Sequence, residues 1–202
     1  MDEAALIHSA TKGDLEAFNR LVLSYQEMVY NQAFRIMGER DIAEDATQDA
    51  FISAYRHLPT YRGGLFKAWL LRIVTNICYD EIRRRKRKPT TPLEPMDDNQ
   101  EEIESPSWLS DPGESPEETT ERLELSSVIQ QCLNNLPIEF REVVILVDIQ
   151  EMDYAEAAGV IRIPVGTVKS RLARARVRMR DCLHNHRELL PASIRLIGER
   201  EA

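Results

Sequence analysis

Three constellations in the 202-residue chain have residue types and spacing that could bind charged partners or do chemistry. The first is acidic: Asp41, Asp45 and Asp49 recur at i, i+4 and i+8, with Glu44 and Gln48 one row over, which on a helix makes one stripe. Such a stripe is a solvated face, a Mg²⁺ site for diphosphate chemistry, or a docking surface for a basic partner. The metal reading lacks its second half, because no facing carboxylate cluster and no phosphate clamp accompany it. The second constellation is basic: residues 61–88 hold 9 Lys and Arg against 2 Asp and Glu, ending in six consecutive basics from Arg83 to Lys88. With Asn76, Phe66 and Trp69 on the same segment, it could grip phosphates and hold unstacked bases, where stacking contributes about 1 to 3 kcal/mol per base. Phe66 and Trp69 are otherwise plain core. The third lies at 165–187, with 7 basic residues against 1 acidic, and places Thr167, Lys169, Ser170, Arg171, Arg174 and Arg176 in one helical run.

Composition narrows what these could serve. Hydrophobic residues at 43% and charged residues at 30% describe a globular chain, and no stretch approaches the roughly 20 apolar residues that span a bilayer. Met1-Asp2-Glu3 opens on acids, without a basic n-region or an apolar h-region, so a cytoplasmic location is expected. No GxGxxG or GxxxxGK[ST] motif offers a nucleotide site. Cys78, Cys132 and Cys182 lie far apart in helical apolar patterns and are expected as reduced core thiols. His184 and His186 after Cys182 are too sparse for a metal site. A net charge of −8 argues against nucleic acid on average, but the average hides two basic islands in an acidic chain.

These side chains need helices to position them. Phe18, Leu21, Val22, Tyr25, Val29, Ala33, Phe34 and Met37 recur at three and four, predicting a helix over 14–37 closed by Gly38. A second helix is expected over 41–58, burying Ala43, Ala46, Ala50, Phe51, Ala54 and Leu58 and presenting the acidic stripe outward. Tyr61, Arg62, Gly63 and Gly64 read as a turn before a helix from Phe66 into the basic run. Residues 89–122 hold six of the ten prolines and many acids, and read as a linker. Beyond it, helices are expected over about 125–136 and about 138–147. Asp153 and Glu156 suggest a capping box, followed by a short helix, a turn at Arg162-Ile163-Pro164 and a basic helix from Val165. That last pair has helix-turn-helix spacing, with Val168, Leu172, Ala175, Met179 and Leu183 on the seated face.

In this order, DIAEDATQDAFISAYRHLPTYRGG, FKAWLLRIVTNICYDEIRRRKR and LPIEFREVVILVDIQEMDYAEAAGVIRIPVGTVKSRLARAR resemble region 2 and region 4 of bacterial sigma factors of the sigma-70 family, in the extracytoplasmic function (ECF) group. The resemblance implies an all-α fold of two helical domains: a region 2 bundle over 1–88 and a region 4 helix-turn-helix over 123–187. A flexible acidic linker, 89–122, joins them, and a tail, 188–202, follows. It implies that Asp41, Glu44, Asp45, Gln48 and Asp49 dock on core RNA polymerase. Tyr61, Arg62, Gly63, Gly64, Lys67, Trp69, Asn76, Asp80, Arg83, Arg84, Arg85 and Arg87 would recognise and open the minus 10 promoter element. Thr167, Lys169, Ser170, Arg171, Arg174 and Arg176 would engage the minus 35 element. The implied partners are core polymerase, promoter DNA and an anti-sigma factor, often membrane-bound, with no catalytic residue, metal, cofactor or small-molecule substrate. Arg162 stands where many relatives carry Gly, Ala173 where some carry an aromatic, and Leu65 where an acid or serine is frequent. An autonomous helix-turn-helix regulator is the competing reading, and it leaves the acidic stripe and the run from Arg83 to Lys88 unexplained.

Overall fold

In the computed structural model, residues 3–87, 116–186 and 188 are described, and all their regular structure is helical. The expected linker as far as residue 115, and the expected tail beyond residue 188, lie outside the described residues.

Four helices form the N-terminal unit: α1 (Glu3–Thr11), α2 (Leu15–Met37), α3 (Arg40–His57) and α4 (Phe66–Arg87). The α2 helix starts because the Asp14 carboxylate accepts from the Glu16 and Ala17 amides at 3.0 and 3.1 Å, satisfying two of its free N–H groups. It stops at Gly38, whose φ of 79° is left-handed and whose N–H reaches the Phe34 carbonyl. Side chains of alanine size let α3 pack close: Ala43, Ala46, Ala50 and Ala54 are all buried. Leu21, Ile36, Leu58, Leu70, Leu71 and Val74 complete the core, each large side chain worth about 1.5 to 3 kcal/mol of burial. The α1 helix was not legible in the sequence; it buries only Leu6 and Ala10.

The C-terminal unit comprises α5 (Pro116–Asn134), α6 (Ile138–Val144) with a π-helical turn, Ile145–Ile149, then α7 (Tyr154–Ile161) and α8 (Val165–His184). The α5 helix begins at Pro116, inside the stretch read as linker. The capping box is formed: Asp153 accepts from the Ala155 and Glu156 amides, and Glu156 accepts from the Asp153 amide. Val168, Leu172 and Ala175 seat α8 on α6 and α7.

One expectation is corrected here. Cys132 and Cys182 are joined in a disulfide, with Cα atoms 5.8 Å apart across a sequence separation of 50, whereas reduced thiols were expected. Distance in sequence misled: packing of α5 against α8 brings the C-terminal turns of the two helices together, a pairing that helical periodicity does not encode. Cys78 alone among the cysteines is free, buried on α4.

The two units touch. The C-terminal carbonyls of α2, which have no partner within the helix, are taken up by the other unit. Gln130 Nε2 lies 3.5 and 3.4 Å from the Phe34 and Arg35 carbonyls, and Arg141 donates to the Ile36 carbonyl at 2.6 Å. Gly38 sits so close that a Cβ there would lie 2.7 Å from the Asn134 amide nitrogen. On α4, Lys67 Nζ donates to the Gln150 carbonyl at 2.7 Å.

Candidate nucleic-acid interface

On α3, alanines take the inner face, so Asp41, Glu44, Asp45, Gln48 and Asp49 are all exposed along the outer one. Among the described residues none of the five has a hydrogen bond or ion pair. Ile42, Asp45 and Asp49 form one wall of a groove of about 520 Å³, whose other wall is Ile77, Asp80, Glu81 and Arg84 of α4. The groove holds acids and bases together, so it is no carboxylate cage; among the described residues no group of three or more metal-ligating side chains converges.

The turn before α4 is closed by Tyr61, whose hydroxyl donates to the Gly64 carbonyl at 2.7 Å. Gly63 and Gly64 adopt φ of 90° and 99°, a left-handed pair that side chains disfavour. Arg62, Gly63, Gly64 and Leu65 are exposed. Tyr61, Phe66 and Trp69 pack edge-on and tilted into one cluster, with ring centroids 5.2 to 5.6 Å apart, extended by Tyr25 at 5.5 Å from Phe66. Phe66 is core, whereas Tyr61 and Trp69 are half-buried at the cluster's edge. Burial raises the Tyr61 hydroxyl above its ordinary pKa.

Further along α4, Asn76, Asp80, Arg83, Arg84, Arg85 and Arg87 are exposed. The basic run is partly self-neutralised. Arg83 pairs with Asp80 at 3.2 Å, Arg84 and Arg85 with Glu81 at 2.7 and 3.0 Å, and Arg85 also with Glu39 at 2.8 Å. Hydrogen bonds from Arg84, then from Arg85, hold the Glu81 carboxyl below its ordinary range. Lys67, expected at DNA, is committed to Gln150 in this arrangement.

On α8 the structure divides the expected readers into two groups. Lys169, Ser170, Ala173 and Arg174 are exposed on the outer face, and Lys169 Nζ lies 5.5 Å from the Tyr154 ring centre. Arg171, half-buried, and Arg176, itself exposed, instead pair with acids of α6 and the π-helical turn. Arg171 meets Glu142 at 3.1 Å, and Arg176 grips Asp148 with two hydrogen bonds, at 2.5 and 3.1 Å. Burial pushes the Glu142 carboxyl up to about 7, against the opposing pull of the Arg171 guanidinium. Thr167 is half-buried in the first turn of α8, its amide donating to the Pro164 carbonyl. Sequence reasoning missed Arg141, Gln130, Glu142 and Asp148. A basic or acidic residue in an apolar helix face was the available signal for Arg141 and Glu142; nothing in spacing identified their partners.

Comparison with known proteins places these surfaces. Residues 21–88 match the Sigma-70 region 2 family, and residues 126–179 the Sigma-70, region 4 family. The chain is 37% identical over 180 residues to the ECF RNA polymerase sigma factor SigW of Bacillus subtilis, covering 89% of this chain and 95% of that one. It is 36% identical over 172 residues to the ECF RNA polymerase sigma factor SigE of Mycolicibacterium smegmatis, covering 85% of this chain and 63% of the longer relative. Among solved structures, the sigma factor RpoE of Bartonella quintana, crystallised with the anti-sigma factor NepR, is similar with a TM-score of 0.64 at 26% identity, covering 83% of this chain and 96% of that one. With both regions matched in order and a full-length relative well above 30% identity, the chain belongs to the ECF RNA polymerase sigma factors of the sigma-70 family.

Proposed function

We propose that this sigma factor docks on core RNA polymerase through the outer face of α3 and brings two DNA-contacting surfaces to a promoter. The observation that carries this reading is the row of Asp41, Glu44, Asp45, Gln48 and Asp49, exposed on one helix face and without intramolecular ion pairs among the described residues. Five polar side chains held on a rigid helix by four buried alanines make a surface for a basic partner. The turn at Tyr61 to Leu65, the edge of Trp69, and Asn76, Asp80 and Arg83 to Arg87 on α4 contact the minus 10 element. Lys169, Ser170 and Arg174 reach base edges of the minus 35 element in the major groove, with Thr167 at the start of the reading turn. Arg171 and Arg176 support that turn from beneath. Lys67 becomes available to DNA only when its bond to Gln150 is released.

The factor performs no bond chemistry and directs the polymerase that does. It works in the cytoplasm beside that enzyme; among the described residues no helix is long and apolar enough to cross a membrane. The complex of the similar Bartonella factor with NepR supports an anti-sigma partner for this one. The test is co-elution with purified bacterial core RNA polymerase, comparing wild type with an Asp45→Arg, Asp49→Arg double variant. Wild type is expected to co-elute and the charge-reversed chain is not. If both folded proteins fail to bind polymerase, and wild type binds promoter DNA alone, the factor is instead an autonomous helix-turn-helix regulator.

A further inference from the structure

The Cys132–Cys182 bond joins the end of α5 to the last turn of α8. The loop it closes contains α6, the π-helical turn, α7 and nearly all of α8, which is the entire helix-turn-helix. A unit of about 70 residues has a small core and is sensitive to a single cross-link. The two sulfurs differ in access: Cys132 is buried at 1% exposure, whereas Cys182 is half-buried near the helix end. Compartments that house RNA polymerase keep most thiols reduced, and disulfides there are typically transient or redox-sensing.

We propose that Cys132 and Cys182 are a redox-active thiol–disulfide site, oxidised by a low-molecular-weight disulfide, whose closed form covalently braces the DNA-reading unit. The proposal rests on the reading that the factor works in the cytoplasm. In the oxidation, the Cys182 thiolate attacks the reagent disulfide and displaces one reagent thiolate, leaving a mixed disulfide. The Cys132 thiolate then attacks the Cys182 sulfur and displaces the second. One S–S bond forms as one breaks, two electrons pass to the reagent, and the two protons lost by the cysteines end on two reagent thiols. Exchange is confined to this pair because Cys78 is fully buried in the other unit and desolvation pushes its thiol up to about 12, so it supplies almost no thiolate.

The full chain, equilibrated in graded ratios of reduced to oxidised glutathione, is quenched in acid, then unfolded and alkylated, and the modified thiols are counted by intact mass. Thermal unfolding is followed in the same buffers. Two thiols are expected to convert together at a midpoint within the series, with Cys78 alkylated at every ratio, and the oxidised chain is expected to melt higher. A Cys132→Ser, Cys182→Ser variant is expected to melt with the reduced wild type at every ratio. A pair that stays joined in the most reducing buffer is a permanent structural bond, and one that stays open in the most oxidising buffer is no site; either result overturns the proposal, as does equal melting of both forms. Promoter transcription with added core polymerase, at a temperature between the two midpoints, is expected to fall at least tenfold on reduction and to be redox-insensitive in the variant. Transcription absent in both states, with the thiol midpoint and melting difference present, condemns the sigma reading and leaves the redox site standing.

Discussion

Position on a helix wheel does not decide whether an arginine of α8 is left unpaired; the acid that packing brings within its reach does. Arg171 and Arg174 are both basic and three residues apart, yet Glu142 holds the first and solvent surrounds the second. Replacing Arg174 with Ala is expected to cost about 1 to 3 kcal/mol in discrimination at the base pair it reads, measured as holoenzyme binding to promoters mutated through the minus 35 element. Arg176→Ala, by contrast, is expected to lower unfolding stability, because it breaks the Asp148 contact, and to leave base preference unchanged. Glu142 makes a pH prediction. The folded carboxyl holds its proton up to about 7 and the unfolded one releases it near the ordinary 4.5, so between these values the folded state binds more protons. Stability from this group is complete below the lower value and is lost as pH rises toward the upper one. Glu142→Gln is expected to flatten that part of the stability profile, checked by urea unfolding at several pH values across the window.

At the scale of elements, the turn between α7 and α8 sets how the reading helix is presented. Arg162, at the position where many relatives carry Gly, closes α7 with φ of 58° and ψ of 46°, the left-handed conformation. A side chain there costs about 1 kcal/mol or more relative to glycine. Arg162→Gly is therefore expected to raise the unfolding free energy of the C-terminal unit by about 1 kcal/mol, in urea titrations at fixed redox state. The cap at the other end of α7 works in the opposite sense, since the Asp153 and Glu156 carboxylates each accept from the other's backbone amide and fix where the helix begins. On α3 the division is by volume: alanines inward, acids outward, so the helix can lie close to α2 and α4 while offering its entire polar face to a partner.

For the whole molecule, the central fact is that the two units are latched at the end of α2. Arg141 is half-buried by its contacts, and that burial lowers its pKa from the ordinary arginine value. Its guanidinium joins the Ile36 carbonyl of one unit to the Asn134 carbonyl of the other, at 2.6 and 2.7 Å. Arg141→Ala leaves those carbonyls unsatisfied and is expected to cost about 1 to 3 kcal/mol of stability and to increase the radius of gyration in small-angle scattering.

The sequence by itself determined the helices, the acidic and basic surfaces and the family, because each follows from a local pattern. Three- and four-residue apolar spacing, alanines alternating with acids on α3, and a capping box before a basic helix are properties of consecutive residues. Among the described residues α1 escaped, since two buried side chains make too weak a period, and so did the first turns of α5 within the stretch read as linker. Tertiary structure decided what no spacing contains: that Cys132 meets Cys182, that Glu142 and Asp148 claim Arg171 and Arg176, that Lys67 spends its charge on Gln150, and that Gln130 and Arg141 finish the end of α2. The physical reason is common to all of them. A charged or polar group is committed by whichever partner packing brings within about 3 Å, and that partner is chosen by how helices cross.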